Sequence, residues 1–310
     1  MSTHAARVPA RGAAQQPHAI PTSIAAWSGL PVAERLTSAL VAPDRRHPVV
    51  SEPVRAELWS RIEEALRSAS EGTGRIAPVR ITPFSLRRLH AGRPVDPFRW
   101  SPWTARRAIG IATARRCLNA RECPPAREVV AVVSELADGA THPGTLGAWL
   151  AGLTAPVAAV TIAEATTWAT NLLDALDWSR PDLHPVVAAT DRWWHSPDRF
   201  RIGVRGRVDV SVAVAGHSGD RQPRASLTMM GGSPGPMSHV ELGLDPLVAA
   251  LDGPGDAIPV RVAGWWPACG RLVVLPVDRG LLLRTAEAVV ASLGGRSWTE
   301  HWPAARKAVA

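Results

Sequence analysis

The sequence predicts a mixed α/β protein of the α+β kind, with a helical N-terminal part and then a mixed sheet flanked by helices. Three observations carry this. Apolar residues recur at helical spacing through most of the first 180 residues, and residues 202–214 alternate apolar with other side chains. After residue 181 the elements run strand, strand, helix, strand, strand, helix, which is neither strict βα alternation nor a sandwich.

Taken in order, residues 1–26 hold Pro, Gln and Ala without periodicity and predict a disordered tail. Residues 27–180 form the mainly helical, Arg-rich region. Ser51 caps a helix with Glu52 and Pro53 in its first turn; Val54, Leu58, Ile62 and Leu66 line one face, and Gly72 stops it. Thr82-Pro83 opens a short helix with Leu86 and Leu89 inward and Gly92 as its end signal. Ser101-Pro102 opens another that runs to Asn119, and Pro124-Pro125 begins one through Val129, Val130, Val133 and Leu136, ended by Gly139. Residues 145–177 are helical with a break near Thr154-Ala155-Pro156.

Residues 181–310 form the mixed-sheet core, onto which 80–180 can pack as one compact unit. One strand spans 202–214, a polar turn follows at 216–223, and RASLTMMGG is a second strand ending in a glycine pair. Val240, Leu244, Leu247, Val248 and Leu251 have helical spacing despite Pro246. VRVAGWWPACGRLVVLPV is a strand, a turn at 267–270 and a strand; Asp278 caps a last helix ended by Gly294-Gly295. The pairs Trp193-Trp194 and Trp265-Trp266, if extended, send one ring inward and its neighbour outward.

Composition narrows the function classes. With 46% hydrophobic and 20% charged residues, disorder over the whole chain is excluded, and no stretch of about 18 uncharged apolar residues exists for a membrane helix. The N-terminus lacks a continuous apolar segment for secretion, and Cys117, Cys123 and Cys269 form neither a disulfide framework nor a CxxC zinc motif, so a reduced cytoplasmic setting is expected. Net charge is +8, and it is local: residues 1–130 hold 20 Arg against 10 acids, and 80–127 hold 11 Arg against Asp96 and Glu122. Arg87, Arg88, Arg106, Arg107, Arg115 and Arg116, interleaved with Phe98, Trp100 and Trp103, are the candidate nucleic-acid contacts, because guanidinium neutralises phosphate and aromatic faces stack on bases. On a helix of about 100° per residue, Arg106, Arg107, Arg115 and Arg116 ring the axis, so some of them must pair internally. All but one of the 35 basic residues are Arg, a skew that reflects coding bias as well as recognition.

Asp209, in VRGRVDVSV, is the leading chemical candidate. A carboxylate among apolar strand neighbours needs an Arg, a set of N–H donors or a metal ion, and Arg205 and Arg207 share its face by period two. No GxxxxGK[ST], GxGxxG or GxSxG occurs; Gly231-Gly232 ends a strand, and His217 and His239 lie in polar surroundings.

Residues 202–293 resemble the RecB-like branch of the PD-(D/E)XK nucleases. GRVD at 206–209 matches the family's G-x-[IV]-D. TMMGGSP at 228–234 stands where D-x-K-T-G-x-P is expected, and ELGLD at 241–245 where Q-x-x-x-Y is expected. The helical entry resembles the family's too, its G-x-x-H falling on 110–113. The resemblance implies a PD-(D/E)XK-like core and a divalent ion held by the first Asp and the acid of D-x-K. Here Thr228 replaces that acid, Met230 replaces the Lys and Thr113 stands at the His, so the standard site is degenerate. Three functions follow. The first is a catalytically silent RecB-like nuclease fold, without cofactor, that binds nucleic acid or a DNA-processing protein partner. The second is an active nuclease whose Mg²⁺ has moved to Asp209 and Glu241, with Arg224 a poor substitute for the Lys because it stays protonated. The third is a protein-interaction module with no nucleic-acid role. None involves a membrane.

Overall fold

The structure, a computed structural model, describes residues 31–41, 52–71, 79–93, 98–119, 124–138, 142–186, 192–195, 202–214, 224–252 and 258–293. The expected tail, the Ser51 cap, the stops at Gly72, Gly139 and Gly294-Gly295, and the turn at 216–223 lie outside the described residues. Within them the chain is a mixed α/β fold. Its helices are α1 (Val32–Val41), α2 (Glu52–Glu71), α3 (Pro83–His90), α4 (Pro102–Asn119), α5 (Pro125–Asp138), α6 (Leu146–Ala151), α7 (Ala155–Leu173), α8 (Ser238–Asp252) and α9 (Arg279–Leu293). Its strands are β1 (Val79–Ile81), β2 (Leu183–Val186), β3 (Trp193–His195), β4 (Ile202–Arg205), β5 (Val210–Val214), β6 (Arg224–Met229), β7 (Arg261–Trp266) and β8 (Arg271–Pro276).

Local chemistry sets the helix ends. At α3 the Thr82 hydroxyl accepts from the Ser85 N–H at 3.1 Å while the Ser85 hydroxyl accepts from the Thr82 N–H at 2.7 Å, a reciprocal cap with Pro83 preset in the first turn. Gly92, at φ +64°, follows the end of that helix. Asp278 Oδ1 accepts from the Leu281 N–H at 2.7 Å and starts α9.

Five strands form one sheet in the order β2-β5-β6-β7-β8, antiparallel except for β6 and β7, which run parallel and are joined through α8. Both faces of this sheet are covered. Val262 and Trp266 pack with apolar residues of α8 and α9, whereas Ala263 and Trp265 pack with Leu36, Ile111 and Leu172 from α1, α4 and α7. The outward ring expected at Trp265-Trp266 therefore does not occur; both indoles are buried, because β7 is central and enclosed on both sides. At β3 the expectation holds: Trp194 is buried and Trp193 is partly exposed.

The single strand expected over 202–214 is two strands in two sheets. β4 lies between β1, to which it is parallel, and β3, to which it is antiparallel, while β5 belongs to the five-stranded sheet. The crossing occurs at Gly206. A Cβ there would lie 2.7 Å from the Asp245 Cα of α8, so a side chain is excluded where the chain passes over the helix. Arg205, on β4, lies over the Trp193 ring. The helical part also contributes β1 to the three-stranded sheet, a strand the sequence reading did not foresee, and α2 packs on α9. Helices α4 and α7 pack closely against each other. Gly110 permits it, since a Cβ there would stand 2.8 Å from both the Ala165 carbonyl oxygen and the Trp168 Cβ.

Candidate functional site

The break at 206–208 delivers Asp209 to the residue just before β5, beside the end of β6. Asp209 is fully buried, and every polar atom it has is engaged. Its N–H donates to the Leu227 carbonyl at 3.0 Å, and its carbonyl accepts from Arg115 Nη2 at 3.4 Å. Carboxylate Oδ2 accepts from the Met229 N–H at 2.8 Å; Oδ1 accepts from Arg107 Nη2 of α4, with Arg207 Nε 3.8 Å away. Arg207 in turn donates from Nη2 to the Met229 carbonyl at 2.8 Å, and the Thr228 hydroxyl donates to the Arg207 carbonyl at 3.0 Å. Two guanidiniums and a peptide N–H thus enclose one carboxylate.

A second pair lies on the other side of Arg207. Glu241, in the first turn of α8, is buried and joined through Oε1 to Arg87 Nε of α3 at 3.0 Å; its Oε2 is buried without a hydrogen-bond partner. Burial raises its carboxyl to about 7 against the pull of Arg87 and Arg207. Burial, then the neighbouring Arg107 and Arg87, lower the Arg207 guanidinium to about 9, while Asp209 and Glu241 oppose them. Arg87, Glu241, Arg207, Asp209 and Arg107 therefore act on one another as one network of three guanidiniums and two carboxyl groups.

That network bears on a divalent ion at Asp209. Mg²⁺ requires oxygen ligands in near-octahedral array and carries two positive charges. Each Asp209 carboxylate oxygen is already engaged, Oδ1 by Arg107 and Oδ2 by the Met229 N–H, the Thr228 hydroxyl donates to a carbonyl, and a divalent ion at Asp209 would sit beside Arg107 and Arg207. Asp209, held by Arg107 and beside Arg207, is placed unfavourably for the ion. Among the described residues no three His, Cys, Asp or Glu side chains come together.

The other positions implied by the resemblance are placed as follows. Thr113 is fully buried on α4 with an unpartnered hydroxyl, and Met230 is buried in the core shared with α8, its N–H donating to the Trp265 carbonyl at 2.7 Å. The six candidate nucleic-acid arginines divide. On α4, Arg107 and Arg115 turn to Asp209, Arg106 pairs with Glu164 at 3.0 Å beneath the Trp103 ring, and Arg116 binds Glu128 at 2.8 Å and also Glu135. On α3, Arg87 holds Glu241 through Nε while its side chain stays 46% exposed, and Arg88 lies 5.8 Å over the exposed Phe84 ring. The α4 arginines are therefore engaged by acids on α5, α7 and before β5, with the Arg116 side chain still 40% exposed.

Two buried features escaped the sequence reading. Arg107 as the partner of Asp209 is 102 residues away in the chain, with no local signal. Asp245, buried on α8, accepts from the Ser226 hydroxyl at 3.3 Å and backs Gly206; an acid inside an otherwise apolar helix face was the available sign.

The fold and this network define the class: an α+β protein with an arginine–carboxylate cluster, its acids buried, at one end of the inner strands β5 and β6. No protein-family model matches the chain and no curated protein matches it. Among the described residues no helix is long and apolar enough to cross a membrane.

Proposed function

We propose that the chain is a catalytically silent relative of the RecB-like PD-(D/E)XK nucleases that binds nucleic acid. The reading rests on one observation: the Arg107 guanidinium, with Arg207 beside it, stands at the Asp209 carboxylate where a hydrolytic site of that kind needs a divalent cation. Support comes also from the chain order around it. β5, β6, α8 and the β7–β8 pair succeed one another as the resemblance implies, and Asp209 lies beside the end of β6, accepting from the Met229 N–H. With two acids and three arginines in the network and +8 over the chain, the ligand it favours is a polyanion.

Supercoiled plasmid and single-stranded DNA, incubated with the full chain in Mg²⁺ or Mn²⁺, test the proposal. It expects no cleavage product, and retardation of DNA that weakens as salt rises. Cleavage abolished by Asp209→Asn overturns it and establishes the displaced active site at Asp209 and Glu241. For that site each carboxylate would first have to leave its own arginine.

A further inference from the structure

With the α4 arginines internally engaged, the basic charge that still faces solvent lies elsewhere. Residues 79–93, which make β1, α3 and the turn after it, contain Arg80, Arg87, Arg88 and Arg93 and no acid. Arg80 and Arg93 are exposed and have no carboxylate partner among the described residues. Arg87 gives its Nε to Glu241 while its side chain stays 46% exposed, so a buried acid holds an exposed arginine. Phe84, one turn before Arg87 and Arg88 on the same helix face, is 56% exposed, an unusual place for a phenyl ring, and Arg88 covers part of it.

We infer that the β1–α3 face binds a single-stranded nucleic acid, with phosphates on Arg80, Arg87 and Arg93 and an unstacked base on Phe84. The inference rests on the nucleic-acid reading above and assigns its surface. Charge complementarity selects a polyanion, because four arginines stand here without an acid of their own segment. The ring selects a single strand, because a duplex keeps its base faces stacked and presents none to Phe84. Glu241 beneath Arg87 makes the surface preorganised: the guanidinium is held in place before phosphate arrives.

The test uses the full chain and a short fluorescein-labelled DNA oligonucleotide, single-stranded or annealed to its complement, followed by anisotropy between about 50 and 200 mM salt. Phe84→Ala is expected to weaken single-strand binding at least ~5-fold, the low end of a lost base–aromatic stack, and to leave duplex binding nearly unchanged. Arg80→Ala with Arg93→Ala is expected to reduce the slope of log K against log salt by about 1.4, two phosphate contacts at about 0.7 each. Both sets lie on exposed side chains, and circular dichroism verifies their fold; Arg116→Ala, which removes a surface ion pair on α4, is expected to bind as the wild type does. If the wild type binds and all variants bind equally, the β1–α3 assignment is overturned while the nucleic-acid reading stands. If the wild type prefers duplex, the role of Phe84 is overturned. If the wild type binds neither form at the lowest salt, the nucleic-acid reading itself falls, and the surface with it.

Discussion

Replacing Arg107 by methionine keeps most of the aliphatic stem and removes the guanidinium that reaches Asp209 across 102 residues of chain. The carboxylate left behind is fully buried. Breaking a buried pair from one side costs about 3–5 kcal/mol, since the remaining charge has lost its counter-ion in a poorly solvated place. Two contacts reduce that loss here: the Met229 N–H at 2.8 Å and Arg207 Nε at 3.8 Å both remain on Asp209. The lower end, about 3 kcal/mol, is therefore expected for Arg107→Met, and a fall in Tm of roughly 6–12 °C for a chain of this size. Asp209→Asn alone leaves Arg107 and Arg207 close together without an anion and is expected to cost a comparable amount. The double variant Arg107→Met with Asp209→Asn is expected to be more stable than the sum of the two predicts, with a coupling of about 2 kcal/mol. Urea unfolding of the four proteins, followed by Trp fluorescence, measures the cycle. Additive losses, or an Arg107→Met variant as stable as the wild type, would refute the ion pair as the element that docks α4 against the sheet.

Further outcomes follow from the same geometry. The Glu241 carboxyl stands at about 7 in the fold against an ordinary value of 4.5, so the folded chain holds a proton that the unfolded chain releases. Its contribution is present below about pH 4.5, declines as pH rises toward 7 and is lost above it, a difference of roughly 3 kcal/mol. Glu241→Gln is expected to remove that decline, read as the difference between the pH–stability curves of variant and wild type; parallel curves would contradict it. Gly110→Ala is expected to destabilise by about 1–3 kcal/mol through overpacking against the Ala165 carbonyl and Trp168, and a neutral result would show that α4 and α7 separate freely. Thr82→Ala is expected to cost about 1 kcal/mol by opening the reciprocal cap of α3, measured by the same denaturation.

Features written in short stretches of sequence were legible. Thr82-Pro83 and Asp278 mark helix starts because the capping donors lie within three residues; β7 and β8 are plain because each is a bounded apolar run, and β6 because Ala225, Leu227 and Met229 alternate with polar residues. The ring of α4 arginines was legible as geometry: side chains at those angles could not form one stripe, and the fold indeed divides them between α5, α7 and β5. Illegible were features that depend on which elements meet. The alternation from Ile202 to Val214 reads as one strand, yet Gly206 must pass beneath Asp245, and periodicity carries no trace of a helix crossing above it. Asp209 was identified as needing a counter-charge, but neighbouring Arg205 faces Trp193 and distant Arg107 supplies the shortest contact. Trp265 was expected to pair one buried ring with one exposed; a second layer of helices covers the face it enters.

The central claim is that guanidinium, and no divalent ion, neutralises Asp209. A titration of the intact protein with Mn²⁺, monitored by the electron paramagnetic resonance signal of the free ion, addresses it at the atom concerned. The account predicts that wild type and Asp209→Asn leave the same amount of Mn²⁺ free at every addition. A stoichiometric loss of signal in the wild type that disappears in Asp209→Asn would contradict it.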